Sequence, residues 1–223
     1  MPDRRIVAFG GYPSDARLTD FLLALTGSER PRVCFLPTAS GDSVFQIASF
    51  YESFARRADA SHLELFDVPP QDLRSVLLAN DVIYVAGGNT ASMLAVWRVH
   101  GIDAILREAW TQGIVLAGWS AGAVCWFEAC VTDSFGPLAP LRDGLGLLSG
   151  TACPHYDGEA ERRPTYHRLV RDGFPPGIAV DDGAAVHFEG GEVAEIVSVG
   201  GSAYRVERSG DEVVETVLPA RLL

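Results

Sequence analysis

Residues Ile114 to Gly122 read IVLAGWSAG, an apolar β-type run that passes directly into Gly118-Trp119-Ser120-Ala121-Gly122. The second half fits Gly-x-Ser-x-Gly, and the residues that follow, Ala121 to Ala129, predict a helix. A serine between glycines at a strand-to-helix junction is the pattern of a nucleophile elbow. The turn is sharp enough to force the serine into a strained backbone conformation, and only glycines on either side let neighbouring chain pass. Such a turn lifts the hydroxyl clear of a sheet and aims the N–H of Ala121 at the place where an oxyanion forms.

Working outward from the elbow strand, the chain alternates. Strands are predicted at Ile6 to Phe9, Val33 to Leu36, Leu63 to Phe66 and Val82 to Val85, with helices at Asp15 to Leu25, Val44 to Arg57, Gln71 to Ala79, Thr90 to Trp97 and Ile102 to Trp110. Apolar, β-branched runs separated by amphipathic helices indicate a mostly parallel sheet covered on both faces. After Gly177 the texture changes to short strands at Ile178 to Val180, Ala185 to Phe188, Val193 to Val199, Tyr204 to Glu207 and Val213 to Val217. Turns such as Glu189-Gly190-Gly191 and Ser209-Gly210-Asp211 separate them and predict antiparallel hairpins at the sheet edge. The expected fold class is α/β, a three-layer sandwich with a β-rich C-terminal third. The expected organisation is a single domain over residues 1–223, with no repeat or linker.

Composition narrows the function classes. Hydrophobic residues make up 48% of the chain and charged residues 21%, which describes a well-cored globule. No apolar run approaches the roughly 20 residues that span a bilayer, and the N-terminal Met1-Pro2-Asp3-Arg4-Arg5 lacks a signal-peptide pattern, so a cytoplasmic location is expected. A net charge of −11 argues against nucleic acid and against an anionic membrane as partners. The four cysteines, Cys34, Cys125, Cys130 and Cys153, lie in apolar runs without metal-type spacing and read as buried thiols; neither a metal nor a cofactor is expected.

Ligands of such sheets sit beyond the C-terminal ends of the strands. Three loops meet there: Pro37-Thr38-Ala39-Ser40-Gly41, Gly87-Gly88-Asn89-Thr90 and the elbow. Gly87-Gly88 lacks the G-x-G-x-x-G of a dinucleotide site and suits an exposed backbone N–H beside Ser120, the second half of an oxyanion hole. Asn89 is then either a helix cap or a contact for substrate. A serine nucleophile needs a base, normally histidine, and an acid to orient it. Of the five histidines, His62 and His100 read as structural and His187 as a sheet-face residue. His155, held behind Pro154 in Cys153-Pro154-His155-Tyr156-Asp157-Gly158, is the favoured base, with His167 behind it. Asp133, Asp157 and Glu159 all remain open as the acid.

Gly87-Gly88-Asn89-Thr90, Gly118-Trp119-Ser120-Ala121-Gly122-Ala123 and Pro154-His155-Tyr156 together resemble the signature blocks of the dipeptidase E (α-aspartyl dipeptidase) family of serine peptidases, to which cyanophycinase is a more distant relative. The resemblance runs from the first strand to about Gly183. It implies a sheet like that of the class I glutamine amidotransferases, Ser120 as nucleophile, His155 as base, and an oxyanion hole from the N–H groups of Gly88 and Ala121. It also implies an acid near Asp133, whereas the His155-x-Asp157 offset follows the amidotransferases and makes Asp157 a rival. Family members specific for N-terminal aspartate carry an arginine after the histidine; here that segment is short and acidic, and Arg162 or Arg163 takes the role or else bridges outward to Glu159 or Glu161. The resulting expectation is a serine exopeptidase that hydrolyses short peptides, with N-terminal aspartate favoured, acting as a monomer or homodimer. The alternatives are an amidase or cyanophycin-like isopeptidase with the same triad, and a catalytically dead ligand-binding or regulatory protein of the same fold.

Overall fold

The computed structural model describes residues 3–223. The first half of the chain follows the expected alternation. Strand β1 (Arg5–Phe9) leads through helix α1 (Ala16–Ala24) to β2 (Arg32–Leu36), then α2 (Val44–Phe54), β3 (Asp59–His62), α3 (Leu73–Leu78) and β4 (Val82–Val85). Two helices, α4 (Thr90–His100) and α5 (Ile102–Thr111), precede the elbow strand β5 (Val115–Trp119) and the short helix α6 (Ala121–Val124). Strands β1, β5, β4, β2 and β3 lie side by side and all run parallel. Every residue of β4 and β5 is buried, as a strand covered on both faces requires. Helices α1 and α2 pack Leu18, Leu22, Phe50 and Phe54 against one face, around Phe9, Phe35 and Tyr84. On the other face α3, α4 and α5 contribute Leu77, Met93, Trp97, Leu106 and Trp110 to the larger core.

The chain after the elbow departs from the expectation. The predicted helix to Ala129 is one turn only, and β6 (Phe127–Thr132) follows at once. An apolar run such as Ala123 to Val131 has no polar face to fix its period, so periodicity cannot separate a buried helix from a buried strand. Strands β7 (Ala139–Leu141), β8 (Leu148–Cys153) and β9 (Gly177–Val180) join β6 in a second sheet, with helix α7 (Arg162–Arg171) between β8 and β9. The C-terminal strands divide between the two sheets. β10 (Ala184–Glu189), β11 (Glu192–Ser198) and β14 (Ala220–Leu222) extend the edge beside β1, whereas β12 (Ala203–Ser209) and β13 (Glu212–Leu218) extend the edge beside β9. Phe127, Cys130, Leu148, Ala152, Ile178 and Val180 tie the second sheet into the larger core, and α7 covers its outer face with Tyr166, Leu169 and Val170, packed with Tyr156 and Phe174.

The third strand is displaced from Leu63–Phe66 to Asp59–His62. Leu63 and Leu65 are buried, but the N–H groups of Leu65 and Phe66 donate to Asp42 Oδ2, at 2.6 and 2.9 Å, instead of to a neighbouring strand. A carboxylate there ends the ladder while keeping the apolar side chains inside. All four cysteines are buried and unpaired, and burial raises the Cys34 thiol to about 11. No helix among the described residues is long and apolar enough to cross a membrane.

Candidate active site

The elbow is built by close approach. Ser120 sits at φ 52° and ψ −115°, outside the ordinary regions for a residue with a side chain. A Cβ on Gly118 would lie 2.5 Å from the Gly122 carbonyl oxygen and 2.6 Å from that of Val85, and one on Gly122 would lie 2.4 Å from the latter. The glycines are therefore required by contact with β4 and with each other, and the strain at Ser120 is held by β5 and α6 on either side. Trp119 anchors the turn from below: it stacks on Phe35 at 5.8 Å and meets Tyr84 at 5.2 Å and Tyr12 at 5.4 Å.

The end of β1 ties serine and histidine together. The N–H of Ser120 donates to the Phe9 carbonyl at 3.3 Å, and that of His155 donates to the Gly10 carbonyl at 3.2 Å. His155 follows β8, behind Pro154, with a φ of 51°. Its Nδ1 lies 2.7 Å from Asp182 Oδ1. An ionised carboxylate only accepts, so Nδ1 carries the ring proton and the Nε2 lone pair is left free. Gly11 leaves room for this pair: a Cβ there would lie 2.1 Å from Asp182 Oδ1 and 3.2 Å from His155 Nδ1.

Asp182 is the acid on His155; Asp133 and Asp157, the two expected from sequence, are elsewhere. The register explains why. β8 runs parallel to β9 with Cys153 opposite Ala179, so the segments leaving the two strands emerge next to each other. Asp181, the first acid after β9, is buried and accepts from the Ser202 N–H and the Tyr204 hydroxyl, both at 3.0 Å. Asp182 is the one that meets the ring. Asp157 supports it from behind, with Oδ1 accepting the Asp182 N–H at 2.9 Å. Asp133 is exposed on the loop after β6 and lines the cleft. The signal in the sequence was an aspartate at the C-terminal end of a strand, in Val180-Asp181-Asp182-Gly183, the position occupied by His155 after β8.

Ser120 and His155 share a polar cleft of about 360 Å³ with Gly88, Asn89, Asp133, Ser134, Glu159 and Arg162. Gly88 is exposed at φ +144°, and its missing Cβ would collide with the Ala39 carbonyl oxygen at 2.1 Å. The loop after β2 is thus what holds the Gly88 backbone against the elbow. Ala121 opens α6, where an N–H has no intrahelical acceptor. The amide of Asn89, expected to touch substrate, is engaged at both ends: Oδ1 accepts the Ser92 N–H at 2.8 Å and caps α4, and Nδ2 donates to the Ser134 carbonyl at 3.0 Å. Asn89 acts on the cleft by fixing the Asp133–Ser134 loop.

The two arginines after His155 part company. Arg162 is 3% exposed and faces the cleft, donating from Nε to Glu159 Oε2 at 2.8 Å and from a terminal nitrogen to Glu159 Oε1 at 3.3 Å. Burial alone pulls its pKa down; the Glu159 hydrogen bond, with the charges of Glu159 and Asp133, holds it above its ordinary value. The Arg162 hydrogen bond in turn lowers Glu159. Arg163 points away, pairing with Glu215 and lying 4.5 and 4.8 Å over the rings of Tyr156 and Tyr204. His167 is bound to the same Glu215 at 2.8 Å, away from Ser120.

Comparison with known proteins places the chain among peptidases. The family model of peptidase family S51 matches residues 6–196. The uncharacterized peptidase YgaJ of Bacillus subtilis (strain 168) is 49% identical over 230 residues, covering 99% of both chains. Peptidase E of Pasteurella multocida (strain Pm70) is 27% identical over 185 residues, 78% of this chain and 76% of that one. The crystal structure of a peptidase from an acI-B1 Actinobacterium shares the fold, with a TM-score of 0.73 at 17% identity over 98% of this chain and 95% of the other. The chain belongs to peptidase family S51 and is a serine-type peptidase.

Proposed function

We propose that the chain is an exopeptidase that removes a neutral N-terminal residue from dipeptides and other short peptides, through an acyl-enzyme on Ser120. The observation that carries this reading is the strained Ser120 opening into the same cleft as a histidine whose Nδ1 is 2.7 Å from a carboxylate. In the reaction, Ser120 Oγ attacks the first peptide carbonyl and its proton passes to His155 Nε2. Asp182 holds the ring in the required tautomer and stabilises the imidazolium. The N–H groups of Gly88 and Ala121 hold the oxyanion. The C–N bond then breaks as His155 protonates the departing amine. Water, deprotonated by the same Nε2, attacks the ester carbonyl, and release of the acid restores the serine.

The charge of the cleft supports a free N-terminus and a neutral first residue. Asp133 and Glu159 bring two negative charges, and Arg162 one positive charge already matched by Glu159. A substrate α-ammonium supplies the missing positive charge. An aspartyl side chain adds back a negative one and reaches the guanidinium only by displacing Glu159. On this reading a neutral first residue is favoured over the aspartate that the family resemblance implies. The test is a fluorophosphonate adduct located by mass spectrometry, followed by kcat/KM for alanyl-leucine and aspartyl-leucine. An adduct on Ser120 and a ratio above one in favour of alanyl-leucine are expected. Labelling elsewhere, or an aspartyl preference, contradicts the reading.

A further inference from the structure

A second cavity, of about 290 Å³, lies on the face of the large sheet covered by α1 and α2. Its walls are aromatic: Phe50 and Phe54 from α2, Tyr84 from β4 and Trp119 from β5, with Tyr12 and Phe45 exposed at the mouth. No residue lining it is charged. Apolar cavities of roughly 150 Å³ accept a benzene ring, so this one has room for a leucine or phenylalanine side chain. Outside the aromatic side chains, the polar groups on its wall are the hydroxyls of Thr19, Ser49 and Ser53 and the amide of Gln46, whose Oε1 is buried without a partner while its Nε2 faces the Gly87 carbonyl at 3.5 Å.

Its position relates it to the reaction. Trp119 is both a wall of this cavity and the residue before Ser120. A Cβ on Gly87 would lie 2.6 Å from Trp119 Nε1 and 3.2 Å from Ser120 Cβ, so the cavity wall, the Gly87-Gly88 loop and the serine are in contact. Tyr12 directly follows Gly11, the residue packed against His155 Nδ1. The polar cleft and the aromatic cavity thus flank Ser120, one charged and one neutral. We propose that the aromatic cavity receives the side chain of the residue on the leaving side of the scissile bond, and that the chain selects peptides whose second residue is bulky and apolar. This rests on the peptidase reading above, in which the N-terminal residue occupies the charged cleft.

The expected effect is large enough to measure. Burying a leucine or phenylalanine side chain in place of glycine corresponds to roughly 10- to 100-fold in kcat/KM. Alanyl-leucine and alanyl-phenylalanine should therefore exceed alanyl-glycine by about tenfold or more. Ser49→Trp, or Ser53→Phe from the next turn of α2, fills the cavity and should collapse that ratio towards one. Hydrolysis of all three peptides at similar kcat/KM, or a ratio unchanged in a folded cavity-filling variant, overturns the proposal and leaves the peptidase reading intact. A turnover-free measurement covers the opposite case: Ser120→Ala protein titrated with phenylalaninamide and with glycinamide, followed by tryptophan fluorescence. Saturable binding of phenylalaninamide alone, lost in the Ser49→Trp background, sustains the cavity even if no dipeptide is cleaved. Absence of phenylalaninamide binding overturns it.

Discussion

Asp182→Asn removes the carboxylate hydrogen-bonded to His155 while keeping the size and shape of the side chain. With aspartate, Nδ1 must carry the proton, because its partner 2.7 Å away can only accept. An amide presents a donor as readily as an acceptor, so the ring can be held with its proton on Nε2, where it cannot take one from Ser120. The imidazolium formed during attack also loses its counter-charge. The corresponding change in a Ser-His-Asp triad lowers kcat by about 10⁴. The side chain of Asp182 is 51% exposed and that of His155 24% exposed, so water replaces part of the lost interaction. The expected loss is nearer 10² to 10³, about 2.7–4 kcal/mol of transition-state stabilisation. Because Asp182 is exposed, Tm should move little. Steady-state kcat on alanyl-leucine for Asp182→Asn, Asp157→Asn and Asp133→Asn measures this, with Asp157→Asn costing several-fold through the loosened Asp182 N–H. Asp133→Asn should raise KM more than it lowers kcat. A kcat within a few-fold of wild type for Asp182→Asn, or a larger kcat loss at Asp133, refutes the assignment.

Other perturbations follow from the same geometry. Glu159→Gln frees the Arg162 guanidinium and should raise the aspartyl-leucine to alanyl-leucine ratio of kcat/KM by roughly tenfold, the half-exposed setting of Glu159 limiting the gain; an unchanged ratio removes Arg162 from specificity. Gly122→Ala drives a methyl into the Val85 carbonyl, which is backbone and cannot swing away; denaturant unfolding should show a loss of about 3 kcal/mol. Burial lowers the His187 pKa below its ordinary 6.5, with Glu189 and Glu195 opposing that shift and Arg5 reinforcing it. The unfolded chain therefore binds the extra proton, so the contribution of His187 is complete above about pH 6.5 and is lost as pH falls through the folded value. Tm measured against pH should be flatter on the acid side in His187→Leu than in wild type.

What could be read from the sequence was what local sterics encode. The elbow is a five-residue object, and Gly118 and Gly122 announce it because a Cβ at either would collide with the Val85 carbonyl, while Ser120 between them supplies the hydroxyl. His155 was legible for a similar reason, standing behind a proline at the end of a strand. Asp182 was not, because its meeting with His155 spans 27 residues and depends on the β8–β9 register. Strand β6 was hidden by an apolar run without period, and with it the second sheet that makes that register possible. The fate of the arginines was half legible. Glu159 and Arg162 are spaced i, i+3 and pair as such spacing allows, but which guanidinium turns inward depends on where α7 docks, with Arg163 drawn off to Glu215 on β13.

The central claim is that Ser120 forms the acyl-enzyme. Purified Ser120→Ala protein, shown by circular dichroism to keep the wild-type fold, should hydrolyse alanyl-leucine with kcat lower by about 10⁴ to 10⁶, the remainder arising from binding and the oxyanion hole. Near wild-type hydrolysis by that folded variant would contradict the account.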